Sequence, residues 1–284
     1  MKKLLILVIF GLLTVVGFPQ EADLRINFLD VGEGEAILVQ TPEGKNVLID
    51  SGNIVSGFKV LEYLKEKGVY NLEYFILTHP HLDHIGGAFF ILQSLNVENV
   101  YDNGQDLSAI SKSQDIYHYY NELTRGDRRY GVLGAGDELK IGDVSFDIKW
   151  PPVTAASLDF NVNSLVIMIK YNNFHCLLTG DLTIPGENEL LRLRSDLGAD
   201  ILKVGHHGDD DASSKEFLIK VSPKVSIISV DRNDRRSRPK KQVLERLRDV
   251  GSRIYKTFES GNIVVIVDSN GDYSIKTKND SYER

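Results

Sequence analysis

The sequence predicts an α/β sandwich, with two β-sheets packed together and helices outside. Three observations lead there. Strand-like and helix-like segments alternate from Asp23 to the end. The alternation runs through two halves, each with its own strands and helices. No low-complexity linker separates the halves, so residues 23–284 read as one domain whose layers must bury each other's apolar faces.

The first half opens with β-rich runs at Leu24–Asp30, Ala36–Gln40 and Asn46–Asp50, split by Gly32, Gly34 and Pro42-Glu43-Gly44. Phe58–Lys67 follows as an amphipathic helix, with Val60, Leu61 and Leu64 on one face and Gly68 as its stop. Glu73–Leu77 is an apolar strand ending on a histidine cluster. Ile85–Leu95 suits a helix leaving that cluster. Lys112–Thr124 is polar and tyrosine-rich, which reads as a surface helix or an insertion. In the second half, Asp137–Lys149 supplies two strands around Gly142. Ser164–Tyr171 and Phe174–Thr179 form an edge-like hairpin turning at Asn172-Asn173. Asp200–Val204 and Val225–Val230 are apolar strands. Helical patterns lie at Asn188–Arg194, Ser214–Val221 and Lys240–Val250. Arg253–Thr277 reads as strand, turn, strand.

Composition narrows the class. Hydrophobic residues at 42% and charged residues at 26% are an ordinary globular balance, which excludes collagen, coiled coil and wholesale disorder. The net charge of −7 excludes a uniformly basic nucleic-acid surface, though not a local basic patch. A single cysteine, Cys176, rules out an intrachain disulfide and a cysteine-rich zinc site. Any metal must be held by histidines and carboxylates. The N-terminus is read apart from the domain. Lys2 and Lys3 precede an uncharged apolar run, Leu4–Phe18, closed by Pro19-Gln20-Glu21. That is the layout of a secretory signal, with Val15 and Gly17 at the −3 and −1 positions of a weak cleavage site. Residues 1–20 are therefore expected to be a signal peptide or an N-terminal membrane anchor. In either case the rest of the chain lies outside the cytoplasm.

The chemistry centres on Thr78-His79-Pro80-His81-Leu82-Asp83-His84. Three imidazoles and a carboxylate lie within six residues at the end of an apolar strand. His79 and His81 can turn to one ion, and Asp83 and His84 to a second. Imidazole and carboxylate are the ligands that zinc, manganese and iron accept. A polar cluster between apolar runs is costly to bury without such a purpose.

His-x-His-x-Asp-His after a strand resembles the metallo-β-lactamase superfamily. More narrowly, the chain resembles the soluble hydrolase domain of the competence protein ComEC. The likeness is carried by Phe28–Ala36, Leu48–Gly52, Asn161–Val166, Leu177–Asp181 and Leu202–Gly208, and it covers nearly all of residues 24–270. It implies an αββα sandwich of two mixed sheets flanked by helices, and a metal-dependent hydrolase with two divalent ions, zinc or manganese. Asp181, after a strand and Gly180, is placed to bridge two cations ~3.5–4 Å apart. Comparison with related Gly-His segments favours His206 as the remaining ligand of the second ion, leaving His207 to support that ion or to contact substrate. Asn161 stands where many members have a histidine. It either ligates, which favours manganese or magnesium over zinc, or orients the site together with Asn163 and Ser164. Asp50 is read as a partner of a ligand histidine. His118 and His175 are expected to bind no metal.

Three departures from the ComEC-like pattern stand out. Glu33 and Glu35 replace Gln and Asp. Arg238-Pro239 replaces His-Pro, and Arg238 can bind phosphate but cannot act as an acid. Asp209 replaces serine and opens the run Asp209-Asp210-Asp211. The segment Arg232–Arg248 holds eight basic residues, the one seat in an acidic protein for an anionic polymer. The expected reaction is hydrolysis by a bimetal-activated water, with Asp83, Asp181, His207 and Arg238 at the chemistry and DNA or another phosphodiester as substrate. Two alternatives stay open: hydrolysis of a lactam, lactone or thioester, and a metal- and DNA-binding module weakened in turnover.

Overall fold

A computed structural model describes residues 23–105, 115–152, 159–278 and 280. The N-terminal apolar run lies outside these residues, as do positions 112–114 of the tyrosine-rich segment.

Fifteen strands among the described residues form two mixed sheets. The first runs β15-β14-β1-β2-β3-β4-β5-β6. It is built from β1 (Leu24–Phe28), β2 (Ile37–Gln40), β3 (Asn46–Ile49), β4 (Asn71–Ile76), β5 (Asn96–Asp102), β6 (Tyr130–Val132), β14 (Ile263–Val267) and β15 (Tyr273–Lys276). The second runs β13-β12-β11-β10-β9-β8-β7. Its strands are β7 (Glu138–Ile141), β8 (Val144–Trp150), β9 (Val166–Tyr171), β10 (Phe174–Leu178), β11 (Ile201–Lys203), β12 (Val225–Ile228) and β13 (Arg253–Lys256).

Period-two alternation explains the layers. Ile26, Phe28, Ile37 and Val39 of the first sheet meet Phe146, Ile167, Ile169 and Ile201 of the second in one buried cluster. The opposite faces are covered by helices. α1 (Ser56–Glu66), α2 (Leu82–Ile85), α3 (Ala88–Ser94) and α4 (Asp115–Thr124) lie on the side of the first sheet. α5 (Ile184–Leu193), α6 (Lys215–Val221) and α7 (Lys241–Asp249) pack on the second, and the single turn α8 (Thr257–Ser260) links β13 to β14. The αββα sandwich is therefore the observed architecture.

Four local expectations are corrected. β5 and β6 extend the first sheet where no strand is expected, because β5 carries Asn96, Glu98 and Asn99 among its apolar residues. The C-terminal segment holds three strands, not two, and they divide between the sheets. The β9–β10 hairpin is internal, since β10 also pairs with β11. Helix α4 is not merely a surface element. Tyr117 and Tyr120 are buried, and Tyr120 donates its hydroxyl to Asp102 at 2.8 Å.

Candidate metal centre

Strand ends bring the polar segments together. β3 delivers Asp50, β4 delivers Thr78–His84, β10 delivers Asp181 and β11 delivers His206-His207, all at one edge of the sandwich. His79 Nε2 faces His81 Nδ1 at 3.1 Å and Asp181 Oδ2 at 3.8 Å. Beside this group, His84 Nε2 lies 3.3 Å from Asp181 Oδ2, and His207 Nε2 lies 3.4 Å from Asp181 Oδ2 and 3.3 Å from Asp83 Oδ2. Two adjoining sets can thus hold cations. One is His79, His81 and Asp181, the other Asp83, His84, Asp181 and His207, and they share Asp181.

The donor atoms fit metal ions. Buried polar atoms normally find a partner. Here His84 Nε2, His207 Nε2 and Asp181 Oδ1 are buried with no hydrogen-bond partner. Each imidazole is held from behind. Asp50 Oδ2 accepts from His84 Nδ1 at 2.7 Å, and the Ser229 carbonyl accepts from His207 Nδ1 at 2.8 Å. Both bonds leave Nε2 turned into the cluster, the arrangement in which an outer partner orients a ligand histidine. Asp50 is itself fixed by the Thr78 backbone N–H at 2.8 Å and the Thr78 hydroxyl at 2.7 Å. The Ser164 hydroxyl accepts from the Asp181 N–H at 3.1 Å.

Electrostatics separates the two sets. Burial and the neighbouring His84 hold His79 well below the ordinary histidine range, and burial lowers His81 as well. Burial also opposes charge on His84 and His207, but carboxylates outweigh it. Asp181 and Asp50 hold His84 well above its usual value, and Asp181 and Asp83 push His207 up to about 9. Burial would raise Asp83 and Asp181. His207 and His84 instead keep both far below the carboxylate range. The second set places two carboxylates against two imidazoles, and a divalent cation bound there would displace the imidazole protons.

His206, expected as the remaining ligand of the second ion, falls outside both sets that share Asp181 and groups instead with Asp209 and Asp211. It stands apart from the shared cluster, with Nδ1 2.7 Å from Asp211 Oδ1. Its Nε2 lies 3.4 Å from the Asn161 amide nitrogen and 3.3 Å from Arg236 Nη1. His206 and His207 both adopt left-handed backbone, with φ of 45° and 54°. Strand alternation consequently does not continue through them, and the second histidine is the one that turns inward. Asn161 lines the pocket, and its amide oxygen is buried with no hydrogen-bond partner. His118 is exposed beside Glu122, and His175 lies on β10; among the described residues neither is part of a group that could hold a cation.

The centre opens into a cavity of about 410 Å³ lined by Glu33, Tyr117, Asn161, His206, Arg236 and Arg238. Arg238 is buried and gives Nε and Nη2 to Asp234 at 3.0 and 2.7 Å. Arg236 is more exposed and lies 3.7 Å from Asp209. The basic character of the Arg232–Arg248 segment flagged this wall, but not which arginines reach the pocket.

The chain belongs to the metallo-β-lactamase superfamily, whose sequence profile matches residues 29–231. Its relatives include competence and recombination proteins. It is 32% identical over 261 residues to ComE operon protein 3 of Bacillus subtilis, across 84% of this chain and 32% of that protein. It is 32% identical over 247 residues to Recombination protein 2 of Haemophilus influenzae, across 85% of this chain and 28% of that protein. The chain thus spans about a third of the length of these relatives. Among solved structures, the metallo-β-lactamase fold protein YhfI from Bacillus subtilis superposes with a TM-score of 0.52 at 12% identity, covering 89% of this chain and 100% of that one. That likeness concerns the fold.

Proposed function

We propose that this chain is an exported, metal-dependent phosphodiesterase or nuclease that holds two divalent cations, zinc or manganese. The observation that carries the reading is the pair of donor sets sharing Asp181 beneath a cavity with two arginines on its wall. Divalent cations bound there supply a water acidified to near neutrality and positive charge over the phosphoryl oxygens.

The chain's own groups do the positioning. Asp50 and the Ser229 carbonyl aim His84 and His207, and Thr78 holds Asp50. Arg238, fixed by Asp234, and Arg236, at the cavity mouth, offer charge to a phosphate backbone. Similarity to competence and recombination proteins supports DNA as the substrate. Export rests on the apolar run Leu4–Phe18, as signal or membrane anchor. Among the described residues no helix is long and apolar enough to cross a membrane.

The test is cleavage of single- and double-stranded DNA by the purified chain with manganese, magnesium or zinc. Activity abolished by chelation and by Asp83→Ala is expected. Inertness with all three metals across a pH range would end the nuclease reading. One observation favours a second reading, a metal- and DNA-binding module with weakened turnover. Arg238 stands where ComEC-like domains have a histidine, and a guanidinium bound to Asp234 donates no proton at neutral pH. DNA binding without cleavage, unchanged in Asp83→Ala, would select it.

A further inference from the structure

Lys203 and Glu35 form an ion pair with both side chains fully buried. It lies between the sheets. Ile201 faces the inter-sheet core and Leu202 the outer one, so alternation along β11 turns Lys203 inward. Glu35 stands in the turn between β1 and β2, on the other sheet. A buried pair of charges in such a place is not needed for stability, since apolar residues of similar volume commonly serve as well.

The contacts around the pair show what it joins. The Glu35 N–H donates to the Asp83 carbonyl at 3.1 Å, and its carbonyl accepts from the Gly52 N–H at 2.7 Å. Gly34 lets the backbone come this close, because a Cβ there would lie 2.2 Å from the Asp83 carbonyl oxygen. On the other side, the Thr179 hydroxyl donates to the Lys203 carbonyl at 2.8 Å, two residues before Asp181. Lys203 Nζ donates to the Val204 carbonyl at 3.0 Å, in the segment that runs into His207. Glu35 also lies against Asp50 and His84, with polar atoms of all three within 4.8 Å of one another.

We infer that the Lys203–Glu35 pair is a positioning clamp that fixes the Asp83–His84, Asp181 and His207 segments against one another across the two sheets. The inference rests on the reading of these residues as cation ligands. The clamp sets ligand geometry, and the inter-sheet core supplies stability.

The full chain, metal-free and titrated with cobalt(II), separates these two jobs. Thermal melting reports the fold, and the visible bands of bound cobalt report ligand geometry. The charge-neutral double variant Glu35→Gln/Lys203→Met should melt close to the wild type without metal. Its cobalt affinity should fall about 10–100-fold, the range for loss of an outer partner, and its bands should shift. Glu35→Asp keeps the pair and should keep the wild-type bands. Wild-type affinity and bands in the folded double variant would overturn the inference. If the double variant does not fold, Glu35→Gln alone decides: shifted bands support the clamp, and wild-type bands overturn it. A wild-type chain that takes up no cobalt, zinc or manganese removes the metal reading itself, a result seen before any variant is compared.

Discussion

His207 Nε2 reaches both Asp83 and Asp181, while His206 Nδ1 turns to Asp211. The difference lies in two backbone angles, since left-handed φ at both histidines breaks the alternation that a strand would impose. His207→Ala should therefore weaken manganese or zinc binding by more than the ~10–100-fold typical of outer partners. His206→Ala should cost about tenfold or less, as measured by equilibrium dialysis. Equal losses would contradict the assignment. Arg238 gives a second test at this scale. Burial would raise the Asp234 carboxyl, but hydrogen bonds and charge from Arg238 hold it below the ordinary range. A depressed folded value means the pair stabilises above the unfolded carboxylate value of ~3.9 and that this stability is lost as pH falls through the folded value. Urea melts of the wild type and Asp234→Asn should differ at pH 6 and converge towards low pH. A difference that persists undiminished in acid would sink the idea.

Elements matter here mainly through their ends. The turn after β3 places Asp50, at φ 57°, under His84, and the Ser51 N–H and hydroxyl both donate to the His84 carbonyl at 2.8 Å. Helices α1 and α3 close over this turn where Gly57 meets Gly87, and a Cβ on Gly57 would lie 2.3 Å from the Gly87 Cα. Backbone cannot yield as a flexible side chain does. Gly57→Ala should cost about 1–3 kcal/mol of stability in chemical denaturation, the usual penalty of overpacking. It should also loosen metal binding, because α3 leads directly from the His84 turn. A variant with unchanged stability would show that the helices separate freely.

Across the whole molecule, the inter-sheet core holds the strand ends at a common edge. Phe146 is among its largest fully buried side chains. Phe146→Ala should cost about 3–5 kcal/mol, read as a lower urea midpoint with an unchanged slope. A loss under 1 kcal/mol, below that range for a buried phenylalanine, would mean the sheets re-pack around the gap.

The chain itself specified a great deal. Local spacing put three histidines and Asp83 within six residues, and alternating apolar periods gave the sandwich, because both are short-range properties of the polymer. Strands such as β5 escaped notice because their polar residues break the alternation at the ends, and only pairing with β4 and β6 makes the segment a strand. Three matters needed the tertiary structure: which of two adjacent histidines turns inward, which arginines of a basic stretch reach the cavity, and that Lys203 meets Glu35. Each depends on groups more than 20 residues apart in sequence, brought together by sheet packing. Spacing along a chain records no such distance; the inter-sheet core creates it.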